Sequence, residues 1–312
     1  MCAMSKSSRD EQAALVLVTG HAFGVRAFEG IFSAPAFLSG QLGVSLAIGL
    51  DADRAGATVG YQSLGPLAAE QGVPYISTTD GRLTSLAGRI RDAQPAYILV
   101  IGWSHLVADE VLAIPAEIAG GSVGPAQAGC IGMHPTPLPD GRGQAPIPWT
   151  IIKGYRQTAL TVFFLESAAD TGPIIAQYDM DVADRETAAS LFYRISHAHF
   201  TAGRELADGL AARSVGSRVQ EEATATRWPR RRPKDGEISP SMTRAEIDAL
   251  VRALLGPYPR AFVMADGRPL TVSRAVADTT AGQQPPAGSI RFPCADGTVY
   301  LLPEHAKGPT PR

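Results

Sequence analysis

His134 opens the run His134-Pro-Thr-Pro-Leu-Pro-Asp-Gly-Arg-Gly143, in which prolines stiffen the backbone and Gly141 and Gly143 let it approach a ligand closely. An imidazole at the mouth of a stiff loop is held in place before any substrate arrives. General acid–base or electrophilic work needs that placement. For an isolated histidine a core or capping role is the better reading; the surrounding loop reverses that preference. Asp170 lies in Ala168-Ala-Asp-Thr-Gly172, a tight turn between the apolar runs 160–167 and 173–179. There a turn aspartate satisfied by local backbone and a working carboxylate stand level.

Other constellations carry less. Gly20-His-Ala-Phe-Gly24 follows an apolar run but has neither the GxGxxG spacing nor a Walker lysine. His197 and His199 are two apart on a helical stretch and point to different sides, which argues against a shared metal. No HExxH, GxSxG or EF-hand pattern occurs. Cys2, Cys130 and Cys294 are odd in number and far apart, which excludes a disulfide framework or thiolate zinc site and points to a reducing cytoplasm. The five cations between Arg227 and Lys234 could meet a phosphate, but such runs are more often solvated linkers.

The elements that must position His134 and Asp170 alternate. Apolar runs at Ala13–Thr19, 44–50, 96–103 and Gly129–His134 read as strands, separated by helical stretches at 24–32, 64–71, 82–93 and 110–118. Continuous apolar strands between helices are covered on both faces, which implies an α/β fold with a mostly parallel sheet. Ligands of such sheets bind beyond the carboxyl ends of the strands. The third strand exits there into Gly102-Trp-Ser-His-Leu-Val107 and the fourth into the His134 loop. A long helix at 187–210 closes this unit.

The remainder has a different grammar. Residues 243–255 read as an amphipathic helix with Thr243 as N-cap and Glu246 at the capping-box position. Short alternating runs at 260–264, 270–276, 289–292 and 298–302, with turns at Ala265-Asp-Gly267 and Ala295-Asp-Gly297, suggest a small β unit. Charge divides in the same place: residues 1–209 carry net −7 and residues 210–312 net +5, within a whole-chain charge of −2. That total argues against a surface built for nucleic acid or anionic membrane. No apolar run approaches the ~18 residues a membrane span requires, and the polar start carries no hydrophobic signal core. The expected organisation is a flexible N-terminus at 1–12, one domain at 13–210, and a linker with a C-terminal domain at 211–312.

The run 131–149, Ile-Gly-Met-His-Pro-Thr-Pro-Leu-Pro-Asp-Gly-Arg-Gly-Gln-Ala-Pro-Ile-Pro-Trp, followed by Asp170-Thr-Gly172, resembles the folate-dependent formyltransferases. That family includes methionyl-tRNA formyltransferase and the N-formyltransferases of sugar-nucleotide amines. The similarity extends over nearly the whole chain, and residues 64–74, Ser104–Val107, 231–236 and 257–262 look closest to the sugar-nucleotide branch. The resemblance implies a Rossmann-like formyltransferase domain using 10-formyltetrahydrofolate and a C-terminal OB-like β domain. It places His134 and Asp170 on two of the three catalytic positions. It also places His105, Leu106, Val107 and Ala169 against the folate, and Thr136 and Gln144 near substrate, with no metal. His134 would polarise the one-carbon carbonyl, while Asp170 would orient His134 and an ordered water.

One departure stands out. Gly132 occupies the position where the family has an asparagine that donates to the formyl oxygen, and losing such a donor costs roughly 2.7–4 kcal/mol when nothing replaces it. Three readings follow, in this order: another donor (Gln144, Thr136 or a water) substitutes; the transferred group differs, as with formimidoyl from 5-formiminotetrahydrofolate; or the chain binds folate or nucleotide without turnover. The expected partner is a small-molecule amine, an amino sugar or natural-product amine. The basic C-terminal stretch keeps tRNA open as the acceptor.

Overall fold

The computed structural model describes residues 13–121, 124, 127–277 and 284–304. The expected flexible stretch 1–12, with Cys2, lies outside them. The chain divides into two compact units that are not consecutive stretches. The first takes the chain up to Gly143, then Thr158–Met180 and Tyr193–Arg227; the second takes Gln144–Gln157, Asp181–Phe192 and the chain from Trp228 onward. Residue 210, the expected boundary, falls inside the first unit.

The strands of the first unit are β1 (Ala13–Thr19), β2 (Leu42–Leu50), β3 (Tyr75–Thr78), β4 (Tyr97–Ile101), β5 (Gly129–His134), the two-residue β6 (Arg142–Gly143), β7 (Gln157–Phe164) and β8 (Ile174–Asp181). Seven of them form one sheet in the order β3-β2-β1-β4-β5-β7-β8. The pairs from β3 through β5 are parallel, and β7 runs antiparallel to β5, with His134 opposite Thr161. Strand numbering reverses direction between β1 and β4, and a ligand crevice forms at such a point.

Burial explains the continuous apolar strands. Leu15, Leu17 and Leu99 enter one cluster with Phe28 and Ile31, while Val16, Val18, Ile98 and Val100 enter another with Ile90 and Ile114. Successive residues of a strand face opposite ways, so both faces of the sheet are covered. On one face the helix Ala22–Phe32 lies against residues 200–204 of the helix Ala188–Ala211. A Cβ on Gly30 would lie 2.1 Å from Phe200 O, and one on Gly203 would lie 2.0 Å from Ala27 O. Two glycines thus let these backbones touch.

Some elements differ from expectation. The run 160–167 ends as a strand at Phe164, whose N–H takes Pro173 O as the chain turns. The stretch 82–93 divides into a 3₁₀ turn, Leu83–Leu86, and a helix, Ala87–Asp92. Residues 110–118 fall into two short helices, Asp109–Leu112 and Ile114–Ile118, the second starting with Pro115 in its first turn. The strand β3 and the helix Pro146–Ile152 give weak sequence signals, being short or proline-bearing. No helix among the described residues is long and apolar enough to cross a membrane.

After the short β9 (Arg227–Trp228), the second unit contains the helix Arg244–Ala253 and the strands β10 (Phe262–Ala265), β11 (Arg268–Ala277), β12 (Ile290–Cys294) and β13 (Gly297–Pro303). The four strands form an antiparallel sheet in the order β10-β11-β13-β12. Thr243 and Glu246 close the expected capping box on the helix. Positive φ at Asp266 and Gly267 gives the two-residue turn that joins β10 to β11. Ile247, Leu250 and Val251 form the core of this unit with Val263, Val272, Val299 and Leu301.

Candidate active site

His134 is the last residue of β5 and is 8% exposed. Its Nε2 lies 2.9 Å from the carbonyl oxygen of Gly141. A carbonyl only accepts, so Nε2 carries a hydrogen, and in the uncharged form of the ring Nδ1 is bare. That nitrogen lies 3.9 Å from Asp170 Oδ1. The gap is too long for a direct hydrogen bond but short enough for one polar group to the side to contact both. The other carboxylate oxygen, Oδ2, accepts the Gly143 N–H at 2.8 Å. Asp170 sits at φ +61°, a left-handed conformation that Asp tolerates better than most residues.

Polar anchors aim the His134 loop. Thr161 donates its hydroxyl to Thr136 O at 2.6 Å and accepts the Leu138 N–H, and Gln177 Nε2 donates to Leu138 O at 2.8 Å. Farther round the loop, the Gly141 N–H donates to Thr226 Oγ1 at 2.8 Å. Arg142 is buried, with Nε and Nη2 donating to Gln220 Oε1. The prolines supply stiffness and these bonds supply direction. Sequence reasoning missed Thr161, Gln177, Gln220 and Thr226. The signal available for Thr161 and Gln177 was a polar side chain set directly between apolar ones in β7 and β8.

The remaining expected residues scatter. Thr136, expected at substrate, is fully buried, and its hydroxyl donates to Gly141 O at 3.3 Å, so it braces the loop and offers no surface to a ligand. Gln144 opens the second unit, where its N–H donates to Trp228 O. Ala169 lies half-buried beside Asp170. His105, Leu106 and Val107 follow β4, which pairs with β5 so that Ile101 lies beside Met133. They therefore leave the same sheet edge as His134. This loop rests on Gly81: Trp103 Nε1 donates to Gly81 O at 3.1 Å, and a Cβ on Gly81 would lie 2.6 Å from the His105 ring. Leu106 is 72% exposed, and among the described residues no backbone hydrogen bond outside the helices and strands engages residues 105–107.

Gly132 lies two residues before His134 on the same side of β5. A Cβ there would lie 2.7 Å from Leu165 Cδ2 and 3.4 Å from the Phe163 ring. The first atom of an asparagine side chain there would meet hydrocarbon, chiefly the movable end of Leu165.

The Gly20-His21 loop is structural. His21 Nδ1 accepts the Phe23 N–H at 3.0 Å as a helix cap, and burial lowers its pKa to about 4. His199 is fully buried, donates from Nδ1 to Ile195 O at 2.8 Å and stacks on Phe23 at 4.5 Å; burial lowers its pKa to about 3. His197, two residues away, is exposed.

Comparison with known proteins agrees with this architecture. Residues 70–202 match the formyl transferase family, and residues 231–304 match the formyl transferase C-terminal domain. Among solved structures, the sugar 3N-formyl transferase WlaRD, crystallised with dTDP and 5-N-formyl-THF, superposes with a TM-score of 0.66 at 13% identity, over 95% of this chain and 99% of its own. The N-formyltransferase of Helicobacter canadensis, in complex with folinic acid and dTDP-3-aminofucose, gives 0.66 at 14%, over 94% and 100%. The methionyl-tRNA formyltransferase of Clostridium thermocellum gives 0.57 at 21%, over 94% and 98%. At such identities the superpositions establish the fold. The two family matches, in order and together spanning well over half of the sequence, establish the kinship, and the chain belongs to the formyl transferase family.

Proposed function

We propose that this protein transfers a formyl group from 10-formyltetrahydrofolate to a primary amine of a small acceptor, an amino sugar or natural-product amine. The observation that carries the reading is His134 Nδ1 facing Asp170 Oδ1 at 3.9 Å at the carboxyl edge of the sheet. An amine attacks only when deprotonated, so the site needs a proton acceptor. With Nε2–H committed to Gly141 O, Nδ1 is the acceptor His134 presents. Taking the proton makes the ring cationic beside Asp170 and beside the oxygen that gains charge as the new C–N bond forms. The same proton is then available to the folate nitrogen as its bond to carbon breaks.

Residues 105–107, which follow β4 and leave the sheet at the His134 edge, would offer backbone groups to the hydrogen-bonding rim of a pterin. Folate in two sugar formyltransferases of the same fold, each with a thymidine nucleotide or amino-sugar nucleotide, supports the donor and the acceptor class. Leu165 over Gly132 favours one second reading, formimidoyl transfer from 5-formiminotetrahydrofolate. A nitrogen in place of the oxygen develops less negative charge and has less need of a donor there.

The test is a thermal-shift titration with 5-formyltetrahydrofolate beside UDP and TDP. Mass action predicts a saturable rise with the folate, and a rise with one nucleotide identifies the acceptor's carrier. No rise at high folate concentration would refute the reading. Salt-sensitive, micromolar affinity for tRNA would move the acceptor to tRNA.

A further inference from the structure

We propose that Gln220 is a positioning residue that holds the Asp170 turn, and through it the carboxylate, in working register. The proposal rests on the formyl-transfer reading for its kinetic consequence but not for its geometry. Gln220 is 7% exposed, while its neighbour Val219 is 84% exposed. Its two ends are fully engaged. Oε1 accepts from Arg142 Nε at 3.1 Å and Nη2 at 3.0 Å, which fixes the amide orientation because a guanidinium only donates. Nε2 therefore faces the other way and donates to Asp170 O at 2.9 Å and Gly172 O at 2.7 Å. One amide bridges both carbonyls of the turn to a buried guanidinium.

The turn needs such a hold. Asp170 is in the left-handed region, which an L side chain adopts against steric resistance. Gly172 packs so tightly that a Cβ would overlap Phe164 O. Without the two donated hydrogens, the relaxed conformation swings the Asp170 side chain off the Gly143 N–H. Arg142 is itself held from the far side, where Nη1 meets Glu222 Oε2 at 2.8 Å. Because Arg142 and Gly143 are adjacent, the clamp fixes the carboxylate's hydrogen-bond donor and its own backbone to a single strut. The turn and the His134 loop, remote in sequence, are thereby registered on each other.

Gln220→Glu keeps the acceptor for Arg142 but replaces both donated hydrogens with a second oxygen; Gln220→Met keeps volume and removes both functions. Hydrogen exchange at the Gly143 amide reads the carboxylate's position directly, without catalysis. The expected result is a fall in Gly143 protection of tenfold or more in either variant, with amides of β4 and β5 unchanged. In Gln220→Glu, kcat falls 10- to 100-fold while KM for the folate stays within twofold. Wild-type Gly143 protection in a folded variant overturns the proposal whatever the activity, as does failure of both variants to fold, which would make the residue a folding element. Lost protection with no transfer by the wild-type protein to any amine would leave the clamp standing and refute the formyl-transfer reading.

Discussion

Placing asparagine at position 132 puts a Cβ 2.7 Å from Leu165 Cδ2, about 1 Å inside ordinary carbon–carbon contact. Leu165 is half-buried and the clash is with the end of its side chain, so it can rotate away at the cost of its own packing. Because a flexible side-chain end gives way, the cost lies at the low end of overpacking, about 1 kcal/mol, which lowers Tm by roughly 2–4 °C in a unit of this size. Leu165→Ala alone loses part of a leucine's burial. Combined, the two changes fit one another, and the double mutant should be more stable than the sum of the singles by about 1–2 kcal/mol. The functional half follows from the same geometry. In the double variant the amide has room without displacing a side chain, and a restored donor is worth about 10²–10³ in kcat for formyl transfer. Denaturant unfolding of the four proteins, with transfer assayed on whichever amine a screen identifies, measures both. Additive stabilities within about 0.5 kcal/mol, or a full gain in the single Gly132→Asn variant, would show that Leu165 does not hold that space. Formimidoyl transfer indifferent to the double change would favour the second reading of the reaction.

Asp170→Asn keeps an acceptor for the Gly143 N–H and removes the charge facing His134; turnover should fall at least about 10²-fold with 5-formyltetrahydrofolate affinity nearly unchanged, and near-normal turnover would refute its role. His199 titrates near 3 in the folded protein and near 6.5 unfolded, so the unfolded chain binds the extra proton between those values. Stability is then complete above about pH 6.5 and declines as pH falls toward 3, by at most about 5 kcal/mol from this residue. His199→Leu should move the acid-unfolding midpoint to lower pH, and an unmoved midpoint would contradict the assignment. Alanine at Gly203 drives a Cβ into Ala27 O, whereas at Gly88, also helical, it meets nothing within 4 Å. The first should cost about 3 kcal/mol or more and the second should stabilise by about 0.5–1 kcal/mol, read as opposite shifts in Tm.

The sequence exposed what repeats along it or stiffens it locally. The buried strands β1, β4 and β5 show as unbroken apolar runs because both faces are covered, and the capping box at Thr243 shows because its two partners are three residues apart. The candidate His134 stands out for a related reason, since prolines and glycines announce a loop that must hold one shape; Asp170 stands out only through the family resemblance. What could not be read is everything made by tertiary approach. Gln220 lies in a stretch with no periodicity, and its role exists only because Arg142 and the carbonyls of residues 170 and 172 converge on it. Leu165 reads as the tail of a strand until the backbone brings it over Gly132. Thr136 reads as a ligand contact until the loop closes over it.

The placement of Gln220, Leu165 and Thr136 bears on the chemistry as well. A proton carrier has to be aimed to within a few tenths of an ångström, and neither a short motif nor a stiff loop can do that alone, since stiffness fixes shape but not direction. Direction comes from bonds to other parts of the chain: Thr161 and Gln177 on neighbouring strands, Thr226 and Gln220 much later in sequence. Each contributes a hydrogen bond to backbone, so each can be exchanged for another residue that reaches the same atom. The His134–Asp170 pair has no such freedom, because its chemistry depends on side-chain identity as well as place. Gly132 tests how far that reasoning extends. On the formyl-transfer proposal, with Leu165 beside Gly132, the negative charge that develops would be met from the His134 side of the site, by the imidazolium formed when Nδ1 takes the amine's proton. Activation of the nucleophile and stabilisation of the oxygen then depend on one proton, and removing the carboxylate that faces it should impair both together.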